Sequence, residues 1–139
     1  MPGSSNLQIS TDQSLLDVDL IINFLRQSYW AKNHTAAEIK NSIKNCLCFG
    51  LYENQKQIGF ARVLTDYTFS AWLADVFILS DIQKTGYGQF LLKYILDFPE
   101  LKNIKRWRLA TEDAHKFYEK FGFSAIEKPE KLMEKINAQ

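Results

Sequence analysis

Cysteine is scarce in this chain of 139 residues, with two in all. A disulfide scaffold is therefore excluded as the organising device. Cys46 and Cys48 stand two apart, so strand alternation puts them on one face, where they are poorly placed to bridge each other. They read as buried free thiols in a reducing compartment. His34 and His115 are the only histidines. With two thiols they are too few for a structural metal site, and no metal is expected. No charge excess exists either. Seventeen Lys and Arg stand against sixteen Asp and Glu, a net charge of +1. That excludes a broad electrostatic footprint for nucleic acid and argues against a strongly polyanionic or polycationic substrate. The densest basic cluster, Lys102, Lys105, Arg106 and Arg108, reads as a solvated strand edge. No apolar run can span a bilayer and no signal peptide is recognisable, so a cytoplasmic protein with no membrane partner is expected. Repeats and low-complexity blocks are missing too.

What the chain has is apolar and aromatic mass: 46% hydrophobic residues, 14% aromatic, ten of them Phe. This suits one soluble domain with a filled core. Residues 1–6 read as a flexible start or a vector-derived remnant, and 7–139 as the domain. Leu7 to Ser10 reads as a first strand. Asp12 or Ser14 is placed to cap a helix with Val18, Ile21, Ile22 and Leu25 on one face. Thr35 and Glu38 form a capping box for a second helix carrying Ile39 and Ile43. Cys46–Tyr52 and Gln57–Leu64 read as a hairpin around Asn54 and Gln55. A third strand of this meander runs from Phe69 to Leu79. Arg106–Ala110 is a further strand, and Thr111 or Asp113 is placed to cap a last helix striped by Ala114, Phe117, Tyr118 and Phe121. Gly122 closes that helix as a left-handed cap. Phe123–Ile126 and Leu132–Ile136 read as short final strands. The order is β-α-α-β-β-β-α-β-α-β, with one more strand at the end. A meander followed by a βαβ crossover makes a mixed, mostly antiparallel α/β (α+β) sheet flanked by helices.

The stretch from Ala74 to Gly88 carries the most information. Val76 to Leu79 has the β-branched and aromatic character of a strand. Tyr87, Phe90, Leu91, Tyr94, Ile95 and Phe98 then recur as the stripe of a half-buried helix, and Pro99 follows its end. Gly86 and Gly88 open that helix. Two readings fit these residues alone. One is a tight strand-to-helix turn. The other is a cradle in which first-turn amides meet a phosphate that glycine lets approach closely. A dinucleotide fingerprint is disfavoured, because it needs three glycines early in a parallel βαβ unit.

Gln83-Lys84-Thr85-Gly86-Tyr87-Gly88 resembles the Q/R-x-x-G-x-G/A signature of the GCN5-related N-acetyltransferase (GNAT) family. A second segment agrees: Ala114, Tyr118, Gly122 and Phe123 match A-x-x-x-Y-x-x-x-G-F. The two motifs lie in the expected order, and the element order agrees from about Leu7 onward. The resemblance implies acetyl transfer from acetyl-CoA to an amine. It implies a pyrophosphate site on Gln83, Lys84, Thr85, Gly86, Tyr87 and Gly88. It also implies a pantetheine arm between splayed fourth and fifth strands, pairing with backbone at Phe77 and Leu79. The Phe77 or Ile78 amide would serve the oxyanion. Thr111 replaces the family's usual Asn, and with Ala114 and Phe117 completes the implied cofactor contacts.

Asp75 is the candidate base. It is the one acid inside an apolar strand, where a carboxylate is costly unless paired or functional. The other reading is an Asp at a strand bulge that bonds backbone. Asp66 and Glu112 are weaker candidates, since both read as turn or cap residues. Tyr118 is, by resemblance, the acid toward the CoA sulfur, and by its stripe a core tyrosine. Trp30, Arg62, Tyr67 and Trp72 are candidates for the acceptor side; His34 reads as a solvated residue before a cap. The leading expectation is an acetyl-CoA-dependent N-acetyltransferase, monomer or homodimer, acting on a small amine or a peptide amine. The alternative is a non-catalytic acyl-CoA-binding module.

Overall fold

A computed structural model describes residues 6–82 and 86–137. The sequence-predicted contacts Gln83, Lys84 and Thr85 lie outside the described residues, as do residues 1–5.

Five strands form one sheet in the order β1-β2-β3-β4-β5. They are β1 (Leu7–Ser10), β2 (Leu47–Glu53), β3 (Lys56–Thr65), β4 (Ser70–Ile78) and β5 (Arg106–Arg108). β1 to β4 pair antiparallel, and β4 pairs β5 in parallel. The β2–β3 hairpin turns on Asn54 and Gln55, with φ of 52° and 69°. Both lie in the left-handed region that a two-residue hairpin loop demands.

Helices α1 (Val18–Gln27) and α2 (Ala36–Lys44) cover one face. Their Ile21, Leu25, Ile39 and Ile43 close on Cys48, Phe60 and Phe77. Helix α3 (Tyr87–Leu96) covers the other, where Leu91, Leu92 and Ile95 meet Phe49, Leu51, Val63 and Leu73. Period-two alternation explains the split: Phe49 and Leu51 point one way and Cys48, just before them, the other. The short helix α4 (His115–Glu119) follows β5.

Two sequence expectations are corrected. Asp12 caps only a single 3-10 turn, Gln13–Leu15, because Leu16 is extended (ψ 134°) and breaks the helix. Asp17 caps α1 instead: its carboxylate accepts the Leu20 amide at 3.1 Å while its own amide donates to Gln57 Oε1. Neither Phe123–Ile126 nor Leu132–Ile136 forms a strand. Pro129 opens a 3-10 turn between them, and proline can neither continue a ladder nor donate to one. The Thr35–Glu38 capping box is present, with both reciprocal hydrogen bonds made.

Candidate functional site

The site begins as a split in the sheet. β4 and β5 pair only at Ser70–Arg106, Ala71–Trp107 and Trp72–Arg108. β4 then continues to Ile78 without β5 beside it, while the chain after β5 turns away into α4. A cleft opens where the fifth strand is missing.

Two cavities occupy it. One, of about 800 Å³, lies against Phe77, Ile78, Gly86, Gly88, Gln89 and Phe117. The other, of about 490 Å³, lies against His34, Arg62, Trp72, Asp75 and Thr111. Tyr29, Trp30, Val76, Asp113, Ala114 and Tyr118 line both and form the wall between them.

A bulge in β4 decides what faces each cavity. Ala71 and Leu73 point into the α3 core. Strict alternation would send residue 75 the same way. Instead the β3–β4 register slips between Phe60 and Arg62, and Asp75 takes φ 55°. The slip flips every later side chain, so Phe77 enters the α1–α2 core and Ile78 the α3 core. Asp75 thereby shares a face with Arg62. Its Oδ2 accepts Arg62 Nε at 2.9 Å and its Oδ1 accepts Trp30 Nε1 at 2.8 Å. The carboxylate is nearly buried, with 9% side-chain exposure. Arg62 also donates to Cys46 Sγ at 3.4 Å. Cys48, deeper in the core, has its thiol pushed up to about 12 by burial. Asp75 is thus at a bulge, as one sequence reading had it, but its partners are side chains rather than backbone. A left-handed, non-glycine residue inside a strand is uncommon and clusters at functional sites.

Tyr118 is held by the end of α4. Gly122, at φ 93°, donates to the Glu119 carbonyl, and Phe123 to the Tyr118 carbonyl. Those two bonds, with the Tyr118–Phe123 ring contact, are a Schellman closure around a left-handed glycine. Burial first, then the nearby Tyr29 and Asp113, raise the Tyr118 phenol to about 12, so it stays protonated at neutral pH. The Tyr29 hydroxyl accepts the Glu112 amide at 3.2 Å and ties the loop after α1 to the loop before α4.

The larger cavity reaches the start of α3. Gly86 has φ 86°, and a Cβ there would touch nothing within 4 Å, so glycine serves the backbone angle. At Gly88 a Cβ would meet the Phe117 ring at 3.4 Å, an ordinary van der Waals contact, so packing against α4 does not itself demand glycine there. The Tyr87 side chain turns into the core and donates to Glu53 at 2.6 Å. The amides of the first turn lack intrahelical partners and face the positive end of the helix dipole, which suits an anion.

Several predicted residues fall elsewhere. The Leu79 amide donates to the Ile58 carbonyl of β3 at 2.9 Å. It does not face the cleft, and backbone alternation turns Phe77 the same way; Val76 faces the open edge instead. Thr111 lines the smaller cavity, and its hydroxyl accepts the Ala114 amide. Tyr67 sits on the β3–β4 turn at φ 63° and lines neither cavity. Phe24, stacked on Phe77 at 4.0 Å, and Asp113 are lining residues that sequence reasoning missed. Among the described residues, no group of three His, Cys, Asp or Glu side chains could hold a metal ion.

Comparison with known proteins agrees with this geometry. The acetyltransferase (GNAT) domain profile matches residues 44–125. A crystal structure of a candidate acetyltransferase of the GNAT family from Xanthomonas campestris pv. campestris is 39% identical, covers 97% of this chain and 96% of its own, and superposes with a TM-score of 0.92. A candidate acetyltransferase from Gibberella zeae is 28% identical over 82% of this chain and 77% of its own length. The fold is shared at 20% identity, TM-score 0.73, with N-acetylglutamate synthase from Neisseria gonorrhoeae, solved with coenzyme A and N-acetyl-glutamate. That match covers 89% of this chain and 30% of the synthase.

Proposed function

We propose that this chain, which belongs to the GNAT acetyltransferase family, moves an acetyl group from acetyl-CoA to a primary amine of a small molecule or peptide by direct attack in a ternary complex. The observation that carries this reading is the shared wall of the two cavities. Val76, Trp30 and Tyr118 stand where a thioester entering from the α3 side would meet an amine entering from the Asp75 side. The larger cavity would hold the cofactor: pyrophosphate on the first-turn amides behind Gly86, pantetheine along the β4 edge at Val76, and the Phe117 face beside it. The smaller cavity, with Trp30, Trp72 and Arg62, would hold the acceptor.

An alkylammonium has a pKa near 10.4 and must lose a proton before it attacks. Each Asp75 oxygen carries two lone pairs and uses one in the bonds to Trp30 and Arg62. The remaining pairs can accept the proton directly or through water. The N–C bond then forms, the C–S bond breaks, and the second proton of the attacking nitrogen passes to the CoA sulfur, leaving an amide and a free thiol. Tyr118, held neutral, donates its hydroxyl proton as a hydrogen bond to the departing sulfur. A backbone amide of the splayed strand supplies the oxyanion donor.

One observation favours a second reading, an acyl-CoA-binding module without transfer: both Asp75 oxygens are already engaged. Assaying free CoA thiol against a panel of primary amines separates the two. Transfer requires thiol release that depends on the amine. Tight acetyl-CoA binding with no release above the hydrolytic background would leave only the binding module.

A further inference from the structure

We propose that the acceptor, on the acetyl-transfer reading above, is a diamine: a primary amine with a second, protonated amine a few carbons away and no carboxylate near either. Glu112 and Asp113 line the smaller cavity beside Asp75. Among the described residues neither Glu112 nor Asp113 enters an ion pair. The basic side chains of that lining are Arg62 and His34. Arg62 is already committed, with Nε donating to Asp75 at 2.9 Å and Nη1 to Cys46 Sγ at 3.4 Å. The cavity therefore offers two carboxylates that no guanidinium answers. Tyr29, Trp30 and Trp72 stand exposed around it, and aromatic faces attract organic cations. The free acids and the aromatic walls are independent of each other, and both suit a cation.

A lone amine sets these acids against the chemistry. Asp75 must take its proton, while Glu112 and Asp113 favour the charged ammonium and oppose that loss. The opposition reaches the reacting end. Burial and Tyr29 raise the Tyr118 phenol, and so does the charge of Asp113. A second ammonium resolves the conflict. It answers Glu112 and Asp113, and its own charge lowers the proton affinity of the amine that attacks. A carboxylate on the acceptor would instead meet two acids and no uncommitted guanidinium, so an amino acid is disfavoured.

The test compares diaminobutane, pentylamine and aminopentanoic acid, which share one linker and end in an amine, a methyl group and a carboxylate. Free-thiol release gives kcat/KM for each. The diamine is expected to exceed pentylamine by about tenfold, and aminopentanoic acid to fall below both. Glu112→Gln with Asp113→Asn is expected to fold, since both residues are exposed. In that variant the diamine is expected to drop to pentylamine's value. The ratio is taken within each protein, so a general change in activity leaves it readable. Pentylamine matching the diamine in wild type, or an unchanged ratio in the double variant, overturns the proposal and leaves acetyl transfer standing. Release with none of the three overturns it as well, and the wider panel of amines then decides whether transfer itself stands.

Discussion

Asp75 combines three features that rarely coincide: a left-handed backbone, a nearly buried carboxylate, and two charged or polar side-chain partners. Asp75→Asn keeps the shape and an acceptor for Trp30 but removes the charge that Arg62 meets. General-base contributions run to about 10²–10⁴-fold, so kcat is expected to fall by at least about a hundredfold with acetyl-CoA binding intact. Loss of a hydrogen bond to a charged group costs roughly 1.5–3 kcal/mol of stability. A melting shift of that size with kcat unchanged would make Asp75 a positioning residue for Trp30 and Arg62. Tyr118 gives a different signature. Its phenol is raised to about 12, so between pH 6 and 10 it carries its proton throughout. Tyr118→Phe is therefore expected to lower kcat by a constant factor across that range and to remove no alkaline limb. For stability the sign is set by the raised value: the contribution is intact below the ordinary phenol value near 10 and is lost as pH rises through 12. An alkaline limb near pH 10 in wild type that vanishes in the Phe variant would contradict this assignment.

At the scale of elements, the end of α4 controls where Tyr118 sits. The helix has five residues, far too few to persist alone, so its closure and ring packing fix it. Gly122→Ala places a Cβ in the left-handed region, a penalty of about 1 kcal/mol or more, although no neighbour lies within 4 Å to clash. Gly122→Asn tolerates the angle better and is expected to recover most of the loss. Comparing melting points and kcat of the two variants checks this, with activity expected to follow the order Gly, Asn, Ala. The same elements show what the sequence makes legible. Gly122 as a left-handed cap, the Thr35–Glu38 box and the Asn54–Gln55 turn are local devices whose partners lie within a few residues. The bulge at Asp75 is not local: it depends on how β4 lies against Phe60 and Arg62 of β3. Asp75 stands out by composition and Trp30 as a candidate for the acceptor side, yet the bond between them, across forty-five positions, is not legible in the sequence. The Leu79 backbone contact is what the family resemblance implies, and a one-residue slip in β4 is enough to turn that amide toward β3 instead. The final strands failed for another reason, since Pro129 between them opens a 3-10 turn and can neither continue a ladder nor donate to one.

Over the whole molecule, stability is distributed unevenly, and the cleft is the cause. β2, β3 and β4 form long ladders between two helical layers. The far wall of the cleft rests on three paired residues of β5, the short α4, and links such as Tyr29 to Glu112. Elements with few buried contacts open locally at low free energy, and a ligand that bridges them to the rigid part stabilises them most. Acetyl-CoA in the larger cavity would touch β4 and α3 on one side and Ala114, Phe117 and Tyr118 on the other. Saturation at about a hundred times Kd is worth about 2.7 kcal/mol, or roughly 10 °C in Tm for a chain of this length. Hydrogen exchange should slow chiefly in residues 109–123 and at the start of α3, with little change in β2 and β3. Protection spread evenly over the sheet, or confined to residues 121–132, would place the ligand outside the split between β4 and β5.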